Sequence, residues 1–98
     1  MNNNVGSITF IRPKKIMAWV MPVDIFVDGF LIGSVYNGET KTFPIYYGTH
    51  TLIAKSGVSE TSFQFTVNEN QKNLVFDTRL KVGAMSPKII INFMHYYN

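Results

Sequence analysis

Apolar and polar side chains alternate along most of this chain with a period of two, the pattern of strands that bury one face and wet the other. The clearest run is Ser62-Phe63-Gln64-Phe65-Thr66-Val67, which sets Phe63, Phe65 and Val67 on one face and Ser62, Gln64 and Thr66 on the other. Val23, Ile25 and Val27 share a face in a second run, which ends at Asp28-Gly29, a dipeptide suited to the positive φ angles of a tight hairpin. The chain then reverses into Phe30 to Val35. Asn37-Gly38 carries the same turn chemistry, since asparagine tolerates the left-handed region and glycine has no side chain to clash there. It leads to a strand through Thr42-Phe43, where Pro44 cannot donate a ladder hydrogen bond and so predicts a sheet edge or a bend.

Further strands follow at similar spacing. Thr49 to Lys55 sets Ile53 opposite to His50, Leu52 and Ala54. Asn73 to Leu80, entered through the polar turn Asn68-Glu69-Asn70-Gln71, turns Leu74, Phe76 and Leu80 inward with Thr78 as the polar member of that face. Lys81 to Lys88 reads as a longer connection to Ile89–Met94, and Ser7–Arg12 and Ile16–Met21 supply the first strands. Connections this short cannot make the crossover that parallel neighbours need, so the pairing is expected to be antiparallel. One sheet of this size would leave an apolar face in water. Two stacked sheets hide both. The expected fold is all-β: an antiparallel two-sheet β-sandwich of about seven to eight short strands, immunoglobulin-like in outline, forming one domain over residues 1–98.

Composition agrees with a folded domain. The 98 residues suffice for one modest core and not for two, and 46% hydrophobic against 15% charged residues is unlike a disordered chain. The net charge of +3 is spread along the sequence, and its densest basic run, Arg12-Pro13-Lys14-Lys15, reads as a solvated strand end or turn. No broad basic face is visible, so nucleic acid is not an expected partner. Cysteine is absent, which removes disulfides, thiolate metal sites and cysteine nucleophiles. The amino-terminal residues do not read as a signal peptide. The longest apolar stretch, Ile16 to Val27, is broken by Pro22 and Asp24 and is shorter than the ~20 residues of a membrane helix. No membrane span is expected. The default compartment is cytoplasmic, with surface association as the other reading.

Val27-Asp28-Gly29-Phe30-Leu31-Ile32-Gly33, followed by Gly48-Thr49-His50-Thr51-Leu52, resembles the PEGA-like domains, small sandwiches related in architecture to carboxypeptidase regulatory domains. The matching features are a strand ending in Val-Asp-Gly, a second glycine four positions on, and a Gly-Xaa-His opening of a later strand. Ile45-Tyr46-Tyr47-Gly48 stands in the place of the Pro-Glu-Gly-Ala motif that names the family. The resemblance implies a β-sandwich used as a spacer or binding module, and it implies no catalytic residue.

Candidate chemistry is sparse. His50 and His95 have no His, Asp or Glu at a ligand spacing, so no metal site is expected; His50 is expected to hydrogen-bond a neighbouring turn carbonyl. Asp28 reads as a turn former, while Asp24 and Asp77 sit at strand centres and would make a carboxylate pair only if the fold brought them together. No nucleophile elbow or phosphate loop occurs. Neither catalytic residues nor cofactors are assigned, and the chain is not expected to be an enzyme. A hydrolase would need Asp24 or Asp77 to converge with His50.

The aromatics are more suggestive. Consecutive tyrosines point to opposite faces, so one of Tyr46 and Tyr47 and one of Tyr96 and Tyr97 should be exposed. In the last run, Ile90, Met94 and Tyr96 lie opposite Ile89, Ile91 and Phe93, so both faces are apolar; Met17 and Trp19 stand similarly opposite Ile16, Ala18 and Val20. Such a strand is either central and covered or part of an interface. The expected interaction surface is Trp19, Tyr46, Tyr47, Ile90, Met94, Tyr96 and Tyr97. The expected function is a non-enzymatic binding or protein-interaction module, through a protein partner or homo-oligomer. The alternative is a carbohydrate-binding or cell-surface accessory domain.

Overall fold

A computed structural model of the chain describes residues 4–15, 21–82 and 87–98. Eight strands lie among them: β1 Val5–Ile11, β2 Val23–Val27, β3 Phe30–Val35, β4 Thr40–Tyr46, β5 Gly48–Ser56, β6 Ser59–Val67, β7 Asn73–Val82 and β8 Pro87–Tyr97. They form two four-stranded sheets, ordered β4-β1-β7-β8 and β3-β2-β5-β6. The strand expected over Ile16–Met21 falls on residues outside the described ones, except Met21, which is not in a strand.

Between the sheets lies one core, in which Ile8, Phe10, Val23, Ile25, Leu52, Val67, Leu74 and Phe76 are buried. The alternation predicted for β6 holds, with Phe65 and Val67 buried and Phe63 packed against the core. Phe10 stacks on Phe76 at 5.5 Å between ring centres, while Phe63 and Phe65 lie 5.6 and 6.0 Å from the same ring. Phe76 is therefore the hub of the aromatic packing.

All pairings are antiparallel except one. β1 and β7 run parallel, Ser7 opposite Asn73 through Ile11 opposite Asp77. Short connections dictate direction only between neighbours in sequence, and these strands are joined through everything between them. Ser7 Oγ bonds Asn73 Oδ1 at 2.6 Å across this pair, and the Ser7 amide bonds the Lys72 carbonyl at 2.9 Å. The approach explains Gly6: a Cβ there would stand 1.9 Å from the Lys72 oxygen.

The two reversals do different work. Asp28 (φ 51°) and Gly29 (φ 88°) both take positive φ, the two-residue turn whose twist suits a β2–β3 hairpin. At Asn37-Gly38 only the glycine is left-handed (φ 80°), and the turn carries the chain from β3 in one sheet to β4 in the other. The expectation of a second turn of the same kind is corrected accordingly: no ladder joins β3 to β4, so no hairpin twist has to be matched. Asn68 builds the crossing from β6 to β7 by accepting the amides of Asn70 and Gln71 on its side chain at 2.8 and 3.1 Å.

Candidate functional site

β8 is an edge strand. The sequence left open whether its doubly apolar pattern meant a covered central strand or an interface, and the sheet order removes the first possibility. Its pairing with β7 contains a bulge: Val75 faces His95, but Phe76 faces Phe93, so Met94 is an extra residue. Ile89, Ile91 and Phe93 share the inner face with Leu80, Thr78 and Phe76, and the bulge returns Tyr96 to that face opposite Leu74. This corrects the expected grouping of Tyr96 with Ile90 and Met94. Strict alternation fails across an inserted residue. Ile90 stays on the outer face, and the same bulge turns Tyr97 to it opposite Asn73.

The inner side of this edge opens on a groove of about 240 Å³ between β8 and β6, the edge of the second sheet. Phe63, Phe65, Phe76 and Phe93 line it, with Gln64 and Gln71 at the rim. Phe93 meets Phe76 edge-on at 5.9 Å and is still 52% exposed. Met94, Tyr96 and Tyr97 are exposed to a similar degree. Toward the start of β8 the Ile89 amide bonds Ser59 Oγ of β6 at 3.2 Å. That bond points the Ile89 N–H away from β7, and two-residue alternation gives the Ile91 and Phe93 amides the same outward direction.

Two of the other three edges of these sheets, β4 and β3, are blunted. β4 carries Pro44 and turns Lys41 inward, where its ammonium donates to the Ser34 carbonyl of β3 at 2.7 Å. β3 has six residues and its own bulge at Ile32. β8 has eleven residues and one bulge, and no charged side chain follows Lys88 within it.

The remaining candidates lie apart from β8. Tyr46 is 74% exposed on the outer face of β4 at the opposite edge of the same sheet, while Tyr47 is half-buried against the core. Trp19 lies outside the described residues. Asp24 and Asp77 sit on the outer faces of opposite sheets, Asp24 accepting from Ser34 and Asp77 from Arg79, each at 2.6 Å. They do not converge with each other or with His50.

His50 has a partner that the spacing did not reveal. Its Nδ1 lies 2.6 Å from Asp28 Oδ2 and its Nε2 lies 2.8 Å from the Tyr46 carbonyl, the turn carbonyl the sequence suggested. Both partners are acceptors only, so the contacts are complete when both ring nitrogens carry protons. Partial burial works against that charge, but the bonds to Asp28 and to Tyr46 outweigh it and raise the His50 pKa. The same His50 bond, with the Thr51 amide on Oδ1 at 2.9 Å, lowers that of Asp28. The segments around Asp28-Gly29 and Gly48–Leu52 thus meet through Asp28 and His50, beside an apolar groove of about 400 Å³ on the β3–β4 flank.

Among the described residues, no group of three or more His, Asp or Glu side chains could hold a metal ion, and no helix is long and apolar enough to cross a membrane. No family model, curated protein or solved structure matches the chain.

Proposed function

We propose that this domain is a non-enzymatic protein-interaction module that takes up an extended segment of another protein alongside β8. The observation that carries the reading is the juxtaposition of a long strand edge, free of proline and of charge beyond Lys88, with a phenylalanine-lined groove. An added strand needs two things: backbone groups to continue the ladder and pockets for alternate side chains. The outward amides along β8 meet the first need, and the groove between Phe63, Phe65 and Phe93 meets the second. The resemblance to PEGA-like domains, used as spacers and binding modules, agrees with this reading.

Selection from a displayed library of extended peptides tests it, together with sedimentation over a range of concentrations. Peptides apolar at alternate positions are expected to be enriched, and Phe93→Lys is expected to abolish their capture while leaving the circular dichroism spectrum intact. A dimer that Phe93→Lys dissociates identifies the partner as a second copy of the chain. No enriched peptide and a monomer at every concentration overturn the reading.

A second reading rests on Tyr46 and Tyr97. Both are exposed on the outer face of the β4-β1-β7-β8 sheet, at its two edges, with Val5, Ser7 and Asn73 between them. Three strand spacings, about 14 Å, separate the edges, a span over which two rings could stack on one oligosaccharide. A glycan array on which Tyr46→Ala abolishes a specific signal would favour it over strand capture.

A further inference from the structure

The fold gathers charge that the sequence spreads out. β1 and β7 end, and β2, β4, β6 and β8 begin, at the same pole of the sandwich. Eight of the nine basic side chains lie in this half with four of the six carboxylates, leaving one basic and two acidic residues in the other half. Lys41, Lys55 and Arg79 pair with Glu39, Glu60 and Asp77. Arg12, Lys14, Lys15, Lys81 and Lys88 have no ion-pair partner among the described residues.

Arg12 is the unexpected member. The sequence places it in a solvated turn, yet it is only 3% exposed. Its Nη1 donates to the carbonyls of Met21 and Val35 at 2.9 and 2.8 Å, tying the starts and ends of three strands. Its Nη2 is buried and has no partner among the described residues. Leaving a buried charged donor unbonded is costly, which makes its surroundings informative. Arg12 lines a hollow of about 10 Å³, room for one water or one oxygen atom, whose rim includes Lys15 and Arg79. Asn37 fixes Lys15 there by bonding both its amide and its carbonyl, at 3.0 and 3.2 Å.

We propose that this pole is an anion site for a phosphate group, with one oxygen seated in the hollow against Arg12 and the remaining charge met by Lys15 and Arg79. A guanidinium that lines a space of one oxygen suits any oxyanion; with Lys15 at the rim and Arg79 there beside its partner Asp77, the surplus of cations in this half of the molecule favours phosphate, which as a monoester or free ion carries more charge than a carboxylate. The site lies at the opposite pole from His50 and does not depend on strand capture at β8. Its phosphate can belong to a small molecule or to a phospholipid headgroup that carries a phosphate monoester.

Thermal unfolding of the full chain, titrated with inorganic phosphate at constant ionic strength, tests the site. The expected result is a saturable rise in Tm that sodium chloride does not reproduce, because a ligand bound only by the folded state stabilises it by mass action. Arg12 holds the core together, so the variants are made at the rim: Lys15→Gln with Arg79→Gln is expected to weaken phosphate about ten-fold, and Lys72→Gln at the far pole to leave it unchanged. Flotation with vesicles identifies the source. Binding to phosphatidic acid but not phosphatidylserine or phosphatidylcholine vesicles, competed by phosphate, points to a headgroup, and a phosphate effect without flotation points to a small molecule. An equal rise with sodium chloride, an unaltered double variant, or oligonucleotide binding that survives the double variant each overturns the proposal.

Discussion

Truncating two phenylalanines that touch each other should separate the core from the groove. Phe76 is 1% exposed and contacts Phe10, Phe63, Phe65 and Phe93. Phe76→Ala removes a fully enclosed ring and leaves a cavity between the sheets, which costs about 3–5 kcal/mol. In a domain whose whole stability is of order 5–15 kcal/mol, that is a large part of the total. Phe93 contacts the same ring from the rim, with about half of its surface already in water. Phe93→Ala forfeits roughly half of a phenylalanine's transfer free energy and encloses no cavity, so it should cost about 1–1.5 kcal/mol. At about 4–8 °C per kcal/mol for a domain of this size, Tm should fall by about 4–12 °C. Urea unfolding followed by circular dichroism measures both variants. Equal costs of 3 kcal/mol or more would refute the reasoning, because Phe93 would then belong to the core rather than to an open groove.

Other consequences are independent of that pair. Thr78 is buried and its hydroxyl has no partner among the described residues, so Thr78→Val should be neutral or stabilise by up to ~1 kcal/mol in urea unfolding. Gly6→Ala would drive a methyl onto the Lys72 carbonyl and should lower Tm severely by parting β1 from β7. The His50–Asp28 contact fixes a pH window: its raised histidine pKa contributes stability that is complete below ~6.5 and lost as pH rises through the folded value. The lowered Asp28 pKa contributes stability present above ~3.9 and lost as pH falls through its folded value. Urea midpoints should therefore favour pH between about 4 and 6.5, and His50→Gln should flatten the alkaline limb; an unchanged profile in that variant would show that the contact has no bearing on stability.

Much of the scaffold was legible because its causes are local. Phe63, Phe65 and Val67 alternate with polar residues over an unbroken strand, and Asp28-Gly29 admits the paired positive φ angles that a tight hairpin requires. Pro44 pointed to a sheet edge or a bend, because a missing donor can be tolerated there, and β4 is an edge. The features that escaped depend on pairing. The inserted Met94 that returns Tyr96 to the inner face is defined only against β7, and Asp28 meets His50 only because β2 lies beside β5. Arg12 sits next to a proline and two lysines, the neighbourhood of a solvated turn, but two carbonyls from other strands draw its guanidinium inside. The candidate surface divided for the same reason. Met94, Tyr96 and Tyr97 could be grouped from adjacency, while the groove of Phe63, Phe65, Phe76 and Phe93 draws on three strands in two sheets.

Amide hydrogen exchange along β8, with and without a peptide selected for binding, addresses the central claim most directly. In the free domain the outward amides of Ile91 and Phe93 should exchange quickly while those of Ile90 and Asn92, directed at β7, are protected. Binding should slow Ile91 and Phe93 and leave the β3 and β4 edges unchanged. Protection gained at those edges instead, with Ile91 and Phe93 exchanging as before, would contradict strand capture at β8.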